Sequence, residues 1–317
     1  MEYQQVENQR VKNQLIIGTR GSKLALWQAE WVQNALMQAH NGLDVTLRVI
    51  KTKGDKILDV PLAKVGGKGL FVKEIEEALL AGEIDLAVHS MKDMPALIPD
   101  GLMIGAVPLR ENPLDVMVSH SAESLQTLPK GGRVGTSSLR RASQILHLRP
   151  DIQIEPLRGN LQTRLQKLTD LKLDAIILAA AGMIRLGYGD QIKSFIPALE
   201  MLPAVGQGAL CIETRNNDPQ VDALIKHLDD SVTRMTVFCE RAFLHRLEGG
   251  CQVPIAAHAV RQKGNRISIS GLVARTDGSK VLKKVMDGDI DQGESLGIAL
   301  AESLLASGGE EILAELI

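Results

Sequence analysis

Aromatic residues are scarce: two Trp, two Tyr and four Phe among 317 residues, 3% of the chain. Single-stranded nucleic acid is held by stacking bases on rings beside a basic groove, so this scarcity argues against nucleic acid as a partner. Excess charge is lacking too. Thirty-six Lys and Arg face thirty-eight Asp and Glu, a formal charge of −2, and no global field draws polyanions, so an anionic ligand must be held by local clustering. No apolar run approaches the roughly 20 residues of a membrane span, and the polar stretch 1–14 has no apolar core of the signal-peptide kind. A cytoplasmic protein with no membrane partner is expected, with 1–14 as a disordered lead-in. Cysteine is limited to Cys211, Cys239 and Cys251, an odd number without paired spacing, which fits free thiols in a reducing compartment. Cys239, His245, Cys251 and His258 match no compact zinc pattern, so no metal is expected.

What is present is a repeated alternation of strand and helix patterns. The chain exceeds the ~250–300 residues at which single cores stop growing, so two or three domains are expected. An apolar strand over 15–20 feeds a helix over 24–40 and a strand over 44–52, the beginning of a βαβ unit. The glycine loop at 66–69 lacks the Lys-Ser/Thr end of a phosphate-binding P-loop. A helix striped by Phe71, Ile75, Ala78 and Leu79 stops at Gly82, and an apolar strand over 84–88 follows. Beyond a proline-bounded connector at 108–113 the alternation resumes, with strands at 115–119, 133–136, 152–154 and 175–178 and helices at 139–148 and 161–171. A second proline passage at 196–203 precedes an apolar strand at 209–212, read as a return to the first half. After a helix over 231–247, strands at 256–260, 266–273 and 281–286 are joined by short turns and followed by a helix over 292–305, an antiparallel α+β unit. The expected fold class is α/β: two lobes with mixed, mainly parallel sheets plus a small C-terminal α+β domain with a three-stranded antiparallel sheet. Lobe 1 would take 15–108 and 204–227, lobe 2 113–202, and the C-terminal domain 231–317.

Three features carry candidate chemistry. Leu247-Glu248-Gly249-Gly250-Cys251-Gln252-Val253-Pro254 places a thiol after two glycines that allow close approach to the backbone. Taken locally, Cys251 reads either as a small buried hydrophobe at a turn or as a functional thiol. His89-Ser90-Met91-Lys92-Asp93-Met94-Pro95 stands at the carboxyl end of an apolar strand, where ligands of open α/β sheets bind, although a solvated Lys and a turn-forming Asp read equally well there. The third feature is a run of arginines. From Arg133 to Arg164 there are six (Arg133, Arg140, Arg141, Arg149, Arg158 and Arg164), with no lysine and only Asp151 and Glu155 as acids. The planar guanidinium grips a carboxylate or phosphate with two parallel hydrogen bonds, which lysine cannot do. Thr136, Ser138, Arg140 and Arg141 fall where a strand turns into a helix N-terminus, itself an anion site, and Arg158 with Arg164, then Arg185, repeat the arrangement at the next strand ends. Convergence of these arginines on one mouth would suit a ligand with more than one carboxylate.

Eight stretches in order resemble the porphobilinogen deaminase (hydroxymethylbilane synthase) family. They are Gly18-Thr19-Arg20-Gly21-Ser22, Thr52-Lys53-Gly54-Asp55, Lys68-Gly69-Leu70-Phe71, His89 to Pro95, Gly135 to Arg141, Arg158-Gly159-Asn160, Leu202 to Leu210, and Leu247 to Pro254. Cys211 and Ala256 stand where many relatives have glycine, and neither carries an assigned role. The resemblance implies two periplasmic-binding-protein-like lobes with a small third domain. It implies that Cys251 holds a dipyrromethane cofactor through a thioether. Four porphobilinogen units, each with an acetate and a propionate, then lose ammonia and add to the cofactor's free end before the linear tetrapyrrole hydroxymethylbilane is released by hydrolysis. Asp93 matches the carboxylate that stabilises positive charge on pyrrole nitrogens and shuttles the proton, and Arg20 matches a residue with a further catalytic role. Lys92, Asp93, Thr136, Ser138, Arg140, Arg141 and Arg164 match cofactor ligands, and Arg20, Ser22, Arg158, Arg164 and Arg185 match substrate ligands. The family likeness further implies a monomer whose product passes to uroporphyrinogen-III synthase. A solute-binding protein on the same scaffold would keep the arginines without a covalent adduct, and a thiol hydrolase would need a histidine presented to Cys251.

Overall fold

The computed structural model describes residues 13–56, 69–247 and 253–315. In chain order β1 (Gln14–Thr19), α1 (Lys23–Ala39), β2 (Asp44–Val49), α2 (Lys73–Leu80), β3 (Leu86–Ser90) and β4 (Leu102–Ala106) come first. They are followed by β5 (Asp115–Val118), β6 (Arg133–Gly135), α3 (Leu139–Leu148), β7 (Gln153–Glu155), α4 (Leu161–Asp170), β8 (Ala175–Ala179), α5 (Ala180–Arg185) and β9 (Ser194–Ile196). The chain ends with β10 (Leu210–Arg215), α6 (Pro219–Ile225), α7 (Ser231–Arg246), β11 (Ile255–Arg261), β12 (Arg266–Ala274), β13 (Val281–Asp289), α8 (Gly293–Leu304) and α9 (Glu310–Ala314).

Three sheets result: β2-β1-β3-β10-β4, β7-β6-β8-β5-β9 and β11-β12-β13. In the first, β1 pairs in parallel with β2 and β3, while β10, arriving more than 100 residues later, inserts antiparallel between β3 and β4. Alternation along β1 distributes the core, since successive side chains point to opposite faces. Leu15 and Ile17 pack with Ala29, Val32 and Leu36 of α1 and with α6, whereas Ile16 faces Ile75 and Leu79 of α2. The second sheet repeats the plan, with Ile145 of α3 on one face and Leu168 of α4 and Met183 of α5 on the other. β6 is parallel to β7 and β8, and β5 is antiparallel to β8 and β9. These are the two mixed lobes and the antiparallel third sheet expected from the pattern. The strand starts earlier than expected at the N-terminus: Gln14, assigned to the lead-in, pairs with Asp44. β4, β9, α5, α6 and α9 were not anticipated.

In the third unit α7 and α8 cover one face of the antiparallel sheet, with Phe243 and Leu300 wholly buried. The two helices touch where α8 has Gly297, whose added Cβ would stand 2.2 Å from the Cys239 carbonyl oxygen, so only glycine permits this approach.

The lobes are joined by two crossover segments that touch. Glu111 N–H donates to the Gly208 carbonyl at 3.2 Å, and Gly208, at φ +91°, has its missing Cβ pointing at the Glu111 oxygen 2.3 Å away. Among the described residues no helix is long and apolar enough to cross a membrane.

Candidate active site

Ligands of open α/β sheets bind beyond the carboxyl ends of the strands. Arg20 and Ser22 follow β1, Lys92 and Asp93 follow β3, Thr136 and Ser138 follow β6, Arg158 follows β7, and Arg185 ends the helix after β8. β5 runs antiparallel to β8 with Asp115 opposite Ala179, so its first residue lies at the same mouth.

Lys92 and Asp93 ride on a 3-10 turn, Met91–Asp93, that continues β3. The turn is anchored by Met91, which is buried and donates its N–H to the Ala209 carbonyl at 3.0 Å. Asp93 is exposed and Lys92 half-buried. On the opposite lobe, Ser138 is the N-cap of α3 and accepts from Arg141 N–H at 3.4 Å, while the buried Thr136 hydroxyl accepts from Ser138 N–H at 3.2 Å. The side chains that fit an anion-binding N-terminus are thus spent partly on capping.

Arg140 and Arg141 are only 6% and 5% exposed, and both turn onto Asp115, which is 0% exposed. Arg140 Nη1 donates to Asp115 Oδ2 at 2.7 Å and to the Leu202 carbonyl at 2.8 Å. Arg141 Nε and Nη2 donate to Asp115 Oδ1 at 3.0 and 2.7 Å, and Nη1 to the Ile177 carbonyl at 2.9 Å. Gln207 Nε2, from the second crossover, completes the set at 3.0 Å. The acid that answers these arginines therefore comes from outside the arginine-rich window, and part of each guanidinium is committed to it.

The window itself divides. Arg133 pairs with Glu155 at 3.0 Å, and Arg149 pairs with Asp151 at 2.7 Å while donating to the carbonyls of Leu125, Gln126, Leu128 and Pro129. These two are loop staples, apart from the arginines at the strand ends. Arg164 is half-buried, and its Nε donates to the Gly159 carbonyl at 2.8 Å. Arg185 donates to the Gly208 carbonyl at 2.8 Å and has its guanidinium 5.9 Å from the Trp27 ring centroid, so it spans the two lobes. Ser22 is the N-cap of α1 and accepts from Ala25 N–H at 3.3 Å. Arg20 is held by Asp55 and Phe71.

Electrostatics ties the mouth together. Burial pushes the Lys92 ammonium down to about 8; Asp93 and Asp115 oppose this, and Arg141 and Arg140 add to it. Burial also pushes Arg164 down to about 10, with repulsion from Arg141 and Arg158 and partial relief from Asp93. Arg185 is pushed down to about 10 by burial, against the pull of Glu111. Arg141 is likewise lowered by burial, with Asp115 as the main counterweight. Among the described residues, Lys92, Arg140, Arg141 and Arg164 are answered within this group by two carboxylates, Asp93 and Asp115. A poorly solvated excess of positive charge is relieved by an anion carrying several charges.

A model described as "Porphobilinogen deaminase, dipyromethane cofactor binding domain" matches residues 15–223, and one described as "Porphobilinogen deaminase, C-terminal domain" matches 234–306. The chain belongs to the porphobilinogen deaminase family.

Family members named porphobilinogen deaminase from Syntrophotalea carbinolica and Brevibacillus brevis are each 54% identical to it, over 95% of this chain and 96% and 97% of their own. A TRAP periplasmic solute binding protein from Desulfovibrio salexigens overlays 68% of the chain and 72% of its own at 10% identity with a TM-score of 0.42. The activity is that of this family, a transferase that deaminates porphobilinogen and joins the units into a linear tetrapyrrole on a dipyrromethane cofactor. The mouth fits that cofactor: a dipyrromethane brings two acetates and two propionates, and the cationic excess around Lys92 and Arg164 is what such arms would neutralise. Cys251 lies outside the described residues. Sequence reasoning missed Asp115, Gln207, Asp55 and Phe71 as parts of the site. Asp115 had a signal, because a carboxylate opening the wholly buried strand Asp115–Val118 requires a buried cation.

Proposed function

We propose that Cys251 carries the dipyrromethane through a thioether and that its acidic arms lie against Lys92, Thr136, Ser138, Arg140, Arg141 and Arg164. Arg20, Ser22, Arg158, Arg164 and Arg185 take the acetate and propionate of each incoming porphobilinogen. The observation that carries this reading is the exposed carboxylate of Asp93, set among mutually repelling and poorly solvated cations. When bound, the dipyrromethane supplies the pyrrole carbon to which each unit is joined. Lys92 and the arginines bind and orient carboxylates, leaving the pyrrole rings beside Asp93. The Asp93 carboxylate stabilises positive charge developing on a ring nitrogen and takes and returns the proton, which is general acid–base catalysis combined with a fixed charge. Arg20 contributes a second charge at the reacting unit. The division into 15–108 with 204–227, 113–202 and 231–317 belongs to the same proposal, as does a cytoplasmic monomer that passes hydroxymethylbilane to uroporphyrinogen-III synthase.

Intact-protein mass tests the proposal. The purified protein is expected to exceed its sequence mass by one dipyrromethane, and Cys251→Ser to lack the increment; a bare but fully active protein would overturn the attachment. Asp93→Ala is expected to keep the increment while kcat falls about 10²–10⁴-fold, the usual worth of a general acid–base group. Normal turnover in that variant would remove Asp93 from its role.

A further inference from the structure

Arg20 enters the mouth from the turn after β1, and its side chain is held from two directions. Its Nε donates to both carboxylate oxygens of Asp55 at 3.2 and 3.4 Å, and its Nη2 donates to Oδ1. The Phe71 ring lies against the guanidinium face, its centroid 4.2 Å from Cζ. Asp55 is itself fixed, accepting from Thr52 Oγ1 at 2.8 Å and from Thr52 N–H at 3.3 Å. Between them Gly54 leaves room for the ring, since a Cβ there would stand 2.2 Å from a Phe71 ring carbon.

A guanidinium offers two forked edges, one through Nε and one through its two terminal nitrogens. Asp55 takes the first. Among the described residues no hydrogen bond is made by Arg20 Nη1, and the side chain keeps 22% of its surface exposed. An arginine so fixed has already given up rotamer freedom that a free one would lose on binding, which is how preorganisation raises affinity. Burial alone would raise the Asp55 carboxyl, yet the hydrogen bonds from Arg20 and Thr52 hold it below the ordinary carboxylate range, so the anchor stays charged at neutral pH.

We propose that Asp55 is a positioning residue for the substrate carboxylate: by gripping one edge of Arg20 while Phe71 supports its face, it presents the Nη1–Nη2 edge to an acidic arm of the incoming porphobilinogen. The inference rests on the assignment of Arg20 to substrate made above.

Steady-state kinetics on the holoenzyme separates the two ideas. Arg20→Lys, which keeps the charge without the fork, is expected to raise KM for porphobilinogen. Asp55→Asn keeps the shape but weakens the grip, and is expected to raise KM about tenfold, the worth of one charge-assisted hydrogen bond. It should keep the dipyrromethane mass increment and lower Tm only slightly, since a part-exposed ion pair contributes little to stability. The double variant is expected to be no worse than Arg20→Lys alone, because Asp55 acts only through Arg20. An unchanged KM in Arg20→Lys would sink the assignment of Arg20 to substrate. A raised KM there, with an unchanged KM in Asp55→Asn or with fully additive effects in the double variant, would overturn the positioning role. Should Asp55→Asn not accumulate as folded protein, Thr52→Val removes the hydroxyl that anchors Asp55 and is expected to raise KM a few-fold; an unchanged KM there would overturn the role equally.

Discussion

At Asp115 one buried carboxylate accepts from Arg140, Arg141 and Gln207, so the charge state of the whole mouth depends on it. Burial would raise its carboxyl, but the two guanidiniums win and hold it far below the usual range. Removing the carboxylate strands two buried cations. Asp115→Asn is therefore expected to lose about 3–5 kcal/mol of stability in urea unfolding at pH 7. The pH dependence has a definite sign: a carboxylate depressed in the folded state contributes stability above the unfolded value of about 4, and that contribution fades as pH falls below it. The wild type should thus weaken steeply on acidification below about pH 4, and Asp115→Asn less steeply. The cysteines give a second residue-scale test. Cys211 and Cys239 are both 0% exposed, and burial pushes both thiols up. Native protein carrying its thioether should react with no thiol reagent, and the denatured protein should titrate two thiols, not three. A third thiol on denaturation would contradict attachment at Cys251.

Among the elements, α2, β3 and β10 meet around a buried trio. His89 Nε2 lies 3.0 Å from Glu213 Oε2, and Glu76 stands beside them at 7% exposure, with Glu76 Oε1 and Glu213 Oε1 finding no hydrogen-bond partner among the described residues. Burial chiefly, then repulsion from Glu213, pushes Glu76 up to about 7 against the pull of His89. A carboxyl raised in the folded state favours folding below its unfolded value, and that advantage is lost as pH rises through the folded one. Glu76→Gln should consequently stabilise at pH 8, by no more than about 3 kcal/mol, and do little at pH 5; equal Tm shifts at both pH values would refute this. Elements were legible from sequence where the apolar period was long. α1, α3 and α7 fell within a few residues of expectation, because Ser22, Ser138 and Asp230 cap them. β4 and β9 were not read from the sequence. The site followed the same division. Strand-end positions such as Asp93 are local and readable, while the partners Asp115 for Arg140 and Asp55 for Arg20 lie 25 and 35 residues away and become neighbours only through folding.

Across the whole molecule, the helix that precedes Cys251 in the chain also binds the parts together. Glu240 of α7 is 0% exposed and accepts four hydrogen bonds from three places. Arg110 of the first crossover donates through Nη1 and Nη2 at 2.6 and 3.2 Å, Gly206 of the second crossover donates at 2.7 Å, and Ala259 of β11 at 2.9 Å. The next residue, Arg241, donates to the carbonyls of Pro95 and Ala96 at 2.8 and 3.1 Å, just past the Asp93 turn. The third unit is thereby fastened to both crossovers between the lobes and to the segment that carries the exposed carboxylate. Lobe 2 is held more lightly: His147 Nδ1 meets the Gly278 carbonyl at 3.0 Å, and Lys283 donates to the Leu199 carbonyl at 2.9 Å. If Glu240 is the knot, Glu240→Ala leaves Arg110 and two backbone N–H groups without their partner and should cost about 3–5 kcal/mol. Because it loosens one unit from the other two, calorimetry should show the main transition dividing, with a low-temperature component that a single cooperative block would lack. Arg110→Met relieves the unpaired cation but still loosens the first crossover, so it should lower Tm less and leave one transition. Equal losses from both variants, each with a single transition, would mean that Glu240 only pairs with Arg110 and does not join the units.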